Sequence, residues 1–283
     1  MKEEAALPTA ATSAEQQAIT RELRQWIASQ TADGHGRDAV MQAMLSAGWS
    51  HQVASEALTE TPSAAVPVPW PAAASSSLRL DAGDRQVAIS TVMRTPDLLV
   101  LEDLLSDAEC LALIAAAKPR LQRSLTVALE TGGDEVHADR TSDGMFFTRG
   151  ENTVVAAVEA RIAKLLGWPV ENGEGLQVLR YGPGTEYKPH YDYFDPAESG
   201  TASILARGGQ RVATLIMYLQ EPDQGGATVF PDLRLQVVPR RGSAVFFSYS
   251  QAHPCSQTLH GGMPVLAGEK WIATKWLRER EFS

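Results

Sequence analysis

Apolar residues recur at three- and four-residue steps from Glu15 onward, placing Ile19, Leu23, Trp26 and Ile27 on one face of a helix that Gly34-His35-Gly36 stops. A second helix follows from Val40, Met41, Met44 and Leu45, ending at Gly48-Trp49. A third, capped by Ser50, carries Val53, Ala54, Ala57 and Leu58. Residues 60–78 hold four prolines among alanines and serines and read as a linker stiffened by polyproline geometry. Beyond it the pattern changes. Strands are predicted over 86–90 and 97–101, and Ser106 with Glu109 forms a capping box before the apolar helix Cys110–Ala117. Another strand is expected over 125–129. Asn152 or Thr153 opens a further helix with Val154, Val155, Val158, Ile162 and Leu165 buried, stopped by Gly167-Trp168-Pro169. The rest is strand and turn, with strands over 176–181, 187–193, 211–219, 227–230, 234–238, 243–248 and 270–278. Short strands at this spacing predict a sandwich or barrel, with the two helices covering one sheet from outside.

These patterns divide the chain into Ala/Thr/Ser-rich residues 1–14, expected to be disordered, a helical module over 15–60, the linker over 61–78, and a β-rich domain over 79–283. The Met residues and Gly-Trp turn of the module resemble ubiquitin-associated-like modules, which implies a protein partner. A helical appendage that only packs on the main domain is the alternative. A net charge of -9 argues against nucleic acid or an anionic membrane surface as the main partner. The acidic N-terminus has no apolar core segment, no stretch is long and apolar enough to span a membrane, and the expectation is a soluble cytoplasmic protein. Cys110 and Cys255 sit in unrelated contexts, so neither a structural zinc site nor a disulfide framework is expected.

The chemistry starts from Leu176–Asp192, LQVLRYGPGTEYKPHYD. In an extended chain, His190 and Asp192 project to the same face. One imidazole and one carboxylate are a single histidine short of the two-His-one-carboxylate triad that leaves positions open on iron. Of the six histidines, His35 and His51 lie in the helical module and His253 lies in a loop. His260, before Gly261-Gly262, is by residue type either a hairpin-turn polar residue or a ligand. The last strand alternates so that Lys270, Ile272, Thr274 and Trp276 share one face, while Trp271, Ala273, Lys275 and Leu277 share the other. Both faces are largely apolar, which points Lys270 into a barrel interior, where an ammonium is costly without an anion. A metal triad with an inward lysine suggests a dicarboxylate co-substrate held between them.

Six blocks carry a family resemblance: RTSDGMFF (140–147), ENGEGLQVLRYGPGTEYKPHYDYF (171–194), GGQRVATLIMYLQ (208–220), GGATVFP (225–231), PRRGSAVFF (239–247) and LHGGMPVLAGEKWIATKW (259–276). Together, and with His260 seventy positions after His190 and Lys270 ten beyond it, they closely resemble the prolyl 4-hydroxylases among the 2-oxoglutarate- and Fe(II)-dependent dioxygenases, from about Asp97 to Arg278. The resemblance implies a double-stranded β-helix (jelly-roll) domain with flanking helices. It makes His190, Asp192 and His260 the iron ligands and gives Lys270 the distal carboxylate of 2-oxoglutarate, helped by Thr228 and Tyr181. Arg140, Ser142, Glu174, Tyr187, Arg211 and Trp276 match positions used around the peptide. The implied reaction hydroxylates the 4-position of proline in a peptide or protein, with O₂ consumed and 2-oxoglutarate decarboxylated to succinate and CO₂. Ascorbate enters as an implied helper. Two residues after Trp276, algal-type members carry a histidine near the substrate where this chain has Arg278.

Three rivals are weighed beside this reading. A zinc hydrolase on the same ligands leaves the inward lysine unexplained. A family member that binds peptide without turnover fits poorly with an intact triad and Lys270. The same chemistry on a free amino acid, a small metabolite or another residue in a protein stays open, because the sequence does not name the substrate.

Overall fold

The helical and β-rich stretches separate into two units in a computed structural model of the chain, a helical unit ending by Ala65 and a β-rich unit beginning at Val66. The structure describes residues 19–32, 35, 37–59, 67–123, 126–127, 134–135, 141–195, 198 and 200–283. No helix among the described residues is long and apolar enough to cross a membrane.

The helical unit consists of α1 (Arg21–Ala32), α2 (Arg37–Ser46) and α3 (His51–Thr59). Residues 15–18 of the helix expected from Glu15 lie outside the described residues; ahead of α1 the Thr20 hydroxyl accepts the Leu23 N–H at 3.2 Å, and the Ser50 hydroxyl does the same for Val53 at 3.2 Å. Leu23, Trp26, Ile27, Val40, Met44, Trp49, Val53 and Leu58 form one buried cluster. The α2–α3 turn passes through Gly48 at φ 90°, a conformation that glycine adopts without strain.

In the β-rich unit a nine-stranded antiparallel sheet runs, edge to edge, through Arg79–Asp81, Gln86–Arg94, Asp97–Glu102, Ala244–Ser248, Arg211–Gln220, Lys270–Arg278, Leu176–Tyr181, Asp143–Phe147 and Gln122–Arg123. A four-stranded sheet runs Leu235–Val237, Thr228–Phe230, His260–Gly262 and Tyr187–His190. This is the jelly-roll architecture expected from the resemblance. Helices α4 (Asp107–Ala117) and α5 (Thr153–Leu166) pack on the outer face of the large sheet. The Ser106–Glu109 capping box opens α4; Asn152 caps α5, which ends at left-handed Gly167 (φ 62°).

The strand Arg211–Gln220 shows why these residues settle here. Ala213, Leu215, Met217 and Leu219 face the helices, while Ile216 and Tyr218 join Leu98, Tyr181, Phe230, Phe247 and Ile272 in a second cluster between the sheets. A strand buried on both faces reads as a continuous apolar run. Each such side chain contributes roughly 1.5–3 kcal/mol on leaving water, which outweighs β-propensity differences of about 1 kcal/mol. The last strand divides as its alternation predicts, with Trp271, Ala273 and Leu277 outward and Ile272 inward. Lys275, on the outward face, is 2 % exposed and pairs with Glu159 of α5 at 2.5 Å, and its ammonium also donates to the Glu174 carbonyl.

The structure redraws several details. The metal-motif strand is Tyr187–His190, shorter than expected, and a six-residue helix α6 (Thr201–Ala206) has no side-chain cap to announce it. Of the strand expected over 125–129, Thr126–Val127 pairs with Asp134–Glu135; the remainder, like residues 1–14, lies outside the described residues. The second half of the proline-rich stretch belongs to the β-rich unit. Ala74 is buried in the outer cluster, and Trp70 packs 6.3 Å from Phe246 with Arg94 stacked over it at 4.4 Å. A chain starting at Ser76 is therefore expected to melt roughly 2–8 °C below one starting at Val66, through lost apolar burial. Equal melting temperatures of the two truncations, by circular dichroism, would show that this packing contributes nothing.

Candidate active site

His190 ends one strand of the small sheet and His260 opens its neighbour, and the two are register partners. Close approach of these strands depends on Gly261, where a Cβ would sit 2.8 Å from the Tyr187 carbonyl oxygen. Asp192 lies two residues past the strand end, so the extended-chain geometry expected for His-x-Asp does not hold the carboxylate. Its neighbours do. Thr214 Oγ1 donates to Asp192 Oδ2 at 2.7 Å, and Arg211 Nη1 donates to the Asp192 carbonyl at 3.3 Å.

The three side chains converge. Asp192 Oδ1 is 3.6 Å from His190 Nε2 and Asp192 Oδ2 is 3.5 Å from His260 Nε2. One donor atom from each lies within 4.8 Å of the others, the only such group of three among the described residues. The His190 Nδ1 meets the Lys188 carbonyl at 2.9 Å and the His260 Nδ1 meets the Thr258 carbonyl at 3.0 Å. A carbonyl only accepts, so each Nδ1 carries a proton, which leaves each Nε2 as the ring atom free to face a metal. Burial among aromatic rings pushes the His260 imidazole down to about 4, against the pull of Asp192. Burial alone would raise the Asp192 carboxyl, but the His260 and His190 rings and the Arg211 guanidinium outweigh it and hold it below the usual carboxylate range. Two imidazoles whose Nε2 atoms converge on one carboxylate, with coordination positions left over, are a donor set that fits Fe(II).

The three side chains open onto a cavity whose lining also includes Tyr181, Tyr187, Thr228, Lys270, Thr274 and Trp276. Lys270 is 3 % exposed, and its ammonium lies 5.6 Å and 5.7 Å from the ring centres of Tyr181 and Tyr218. No carboxylate among the described residues pairs with it, and burial pushes it down to about 7. Nearby, the Tyr218 hydroxyl donates to Thr228 Oγ1 at 2.8 Å, which frees the Thr228 proton for an anion in the cavity.

The remaining expected residues divide. Glu174 and Arg211 form a bidentate pair at 2.6 and 2.8 Å, and the guanidinium stacks 4.0 Å over Trp276 and 4.6 Å over Phe194. Tyr187 stacks on His190 at 3.7 Å. Ser142 is buried and does not line the cavity, and Arg140 lies outside the described residues. Arg278 is not among the residues that line the cavity. It is 2 % exposed, ion-pairs with Glu174 at 2.9 Å and donates to the Gly209 carbonyl at 2.6 Å, so Glu174 sits between two arginines. Sequence reasoning missed Thr214, Tyr218 and Tyr249. The first two carry a signal, as polar groups two steps to either side of Ile216 on an inward strand face; Tyr249, one residue past a strand, carries none.

Residues 176–278 match the family model described as the 2OG-Fe(II) oxygenase superfamily. The chain is 40% identical over 221 residues to prolyl 4-hydroxylase 5 of Arabidopsis thaliana, covering 71% of this chain and 74% of that protein. It is 44% identical over 208 residues to prolyl 4-hydroxylase 1 of the same plant, covering 67% and 71%. Its fold is similar to that of a viral collagen prolyl hydroxylase from Paramecium bursaria Chlorella virus-1, solved as a 2OG complex, with TM-score 0.50, 32% identity, and 64% and 95% of the two chains covered. With the triad, the inward lysine and the jelly roll in place, these relatives put the chain in the prolyl 4-hydroxylase family of Fe(II)- and 2-oxoglutarate-dependent dioxygenases.

Proposed function

We propose that this chain hydroxylates proline, at the 4-position, within a peptide or protein. His190, Asp192 and His260 hold Fe(II); Lys270, Thr228 and Tyr181 take the distal carboxylate of 2-oxoglutarate; Glu174, Arg211, Tyr187 and Trp276 form the peptide side. The observation that carries this reading is the buried, unpaired Lys270 ammonium in the same cavity as the triad. A dicarboxylate spanning that cavity supplies the missing anion. Zinc hydrolysis offers the lysine no such partner.

When bound, the iron supplies O₂ activation coupled to decarboxylation of 2-oxoglutarate. The chain supplies position. Backbone carbonyls fix both imidazole tautomers, Lys270 and Thr228 orient the co-substrate, and the apolar wall of Leu179, Ile216 and Ile272 excludes water. Trp276 bridges the two ends of the site, lining the cavity on one side and carrying the Arg211 guanidinium on its face. A flat aromatic backed by a fixed cation suits the ring and carbonyl of a prolyl peptide.

The test is succinate release with a panel of proline-rich peptides, read together with mass spectrometry for one added oxygen on proline. Arg211→Gln is expected to raise the peptide KM by roughly 10–100-fold while the 2-oxoglutarate constant moves less than about threefold, the signature of lost substrate binding. Turnover confined to free amino acids, with every peptide unmodified, would remove the peptide assignment.

A further inference from the structure

We infer that Tyr249 and Thr214 form a directional hydrogen-bond relay that positions Asp192 for the metal, an inference that rests on the ligand reading above. Thr214 Oγ1 lies 2.7 Å from Asp192 Oδ2 and 3.0 Å from the Tyr249 hydroxyl. All three residues are buried: Thr214 is 0 % exposed, Asp192 6 % and Tyr249 3 %.

The donor inventory fixes the direction. An ionised carboxylate only accepts, so the single Thr214 proton points at Asp192. The Thr214 oxygen then has only a lone pair to offer, and Tyr249 is the donor in the outer bond. The order is Tyr249 to Thr214 to Asp192, with no alternative arrangement that satisfies all three groups. Burial and the nearby Asp192 charge raise the Tyr249 hydroxyl well above its ordinary range, which keeps its proton in place.

Each relay member is anchored away from the metal. Thr214 is in the middle of the sheet, opposite Phe247 on one side and Trp276 on the other. The Tyr249 N–H donates to the Val212 carbonyl at 2.9 Å, and its ring packs 6.2 Å from both Tyr193 and Phe247. Asp192 itself sits beyond the end of its strand and has no ladder partner. The relay therefore transfers the rigidity of the large sheet to the one ligand that the small sheet does not hold. Valine and phenylalanine would fill the same volumes without two hydroxyls to desolvate, so packing gives no reason for the hydroxyls. Groups hydrogen-bonded behind metal ligands typically change metal affinity by about 10–100-fold when removed.

The experiment titrates the full-length, metal-free protein with Co(II) under argon, reading dissociation constant and visible absorption, with thermal melting as the folding control. Thr214→Val is expected to weaken Co(II) about 10–100-fold and Tyr249→Phe about 3–10-fold, each with an altered absorption band. Thr214→Ser restores the hydroxyl and is expected to stay within about threefold of wild type. Because Tyr249 acts through Thr214, adding Tyr249→Phe to Thr214→Val should weaken binding no further. Wild-type affinity and spectrum in both Thr214→Val and Tyr249→Phe, beside lost binding in His260→Ala, overturns the relay alone. Additive losses in the double variant overturn its order. Wild-type binding in His260→Ala overturns the ligand assignment beneath it.

Discussion

Replacing His260 with alanine is expected to abolish 2-oxoglutarate turnover and to strip the metal during purification, while the chain still folds. A facial triad reduced to one imidazole and one carboxylate loses a third of its protein donors. The His260 ring is 3 % exposed, with the Phe247 ring centre 4.7 Å away, so its removal also leaves a cavity and should lower the melting temperature by several degrees. His190→Ala and Asp192→Ala are expected to abolish turnover too. The His190 side chain is 22% exposed, so its variant should melt closest to wild type and give the cleanest test. Metal content by elemental analysis, turnover and melting are the three readouts. Near-normal turnover in His260→Ala with iron retained would sink the assignment.

The second large effect belongs to Lys270. Removing one partner from a buried ion pair costs about 3–5 kcal/mol, so Lys270→Ala should raise the apparent 2-oxoglutarate constant by roughly two to three orders of magnitude, at about 1.4 kcal/mol per tenfold. Metal affinity should change little. Lys270→Arg should fall between, since it keeps the charge in a larger planar fork. A pH dependence follows with a definite sign. Without an anion the ammonium is pushed down to about 7 by burial. A bound carboxylate raises it again, so 2-oxoglutarate binding should take up a proton above pH 7. Affinity should be full below about pH 7 and fall as pH rises past it, by up to tenfold per unit. Lys270→Ala should flatten that slope. An unchanged co-substrate constant and slope in Lys270→Ala would rule out the carboxylate role.

Much of this was legible in the sequence because period-2 alternation fixes which face a side chain takes. The placement of Lys270, Thr274 and Trp276 inside, with Trp271 and Leu277 outside, follows from counting residues along one strand. What could not be read was long-range pairing. Arg278 continues the same strand, yet its guanidinium is claimed by Glu174 and by the Gly209 carbonyl, neither of which a local pattern reveals. Asp192 was expected in an extended strand and instead depends on Thr214, a neighbour across the fold. The proline-rich stretch misled for a different reason. Composition marks it as a linker, but Trp70 and Ala74 find apolar partners on the sheet, and tertiary burial overrides composition.

One strand carries two buried lysines on opposite faces. Lys270 lines the cavity, and Lys275 is locked to Glu159 behind the sheet. Sliding the strand by one residue would turn every side chain over. It would drive Trp271 into the catalytic cavity and carry Lys275 out of reach of Glu159, stranding a carboxylate in the outer core. Such a broken pair costs about 3–5 kcal/mol, a large share of the stability of an ordinary domain. A misaligned strand is thus penalised behind the sheet, by a bond that lines no part of the cavity.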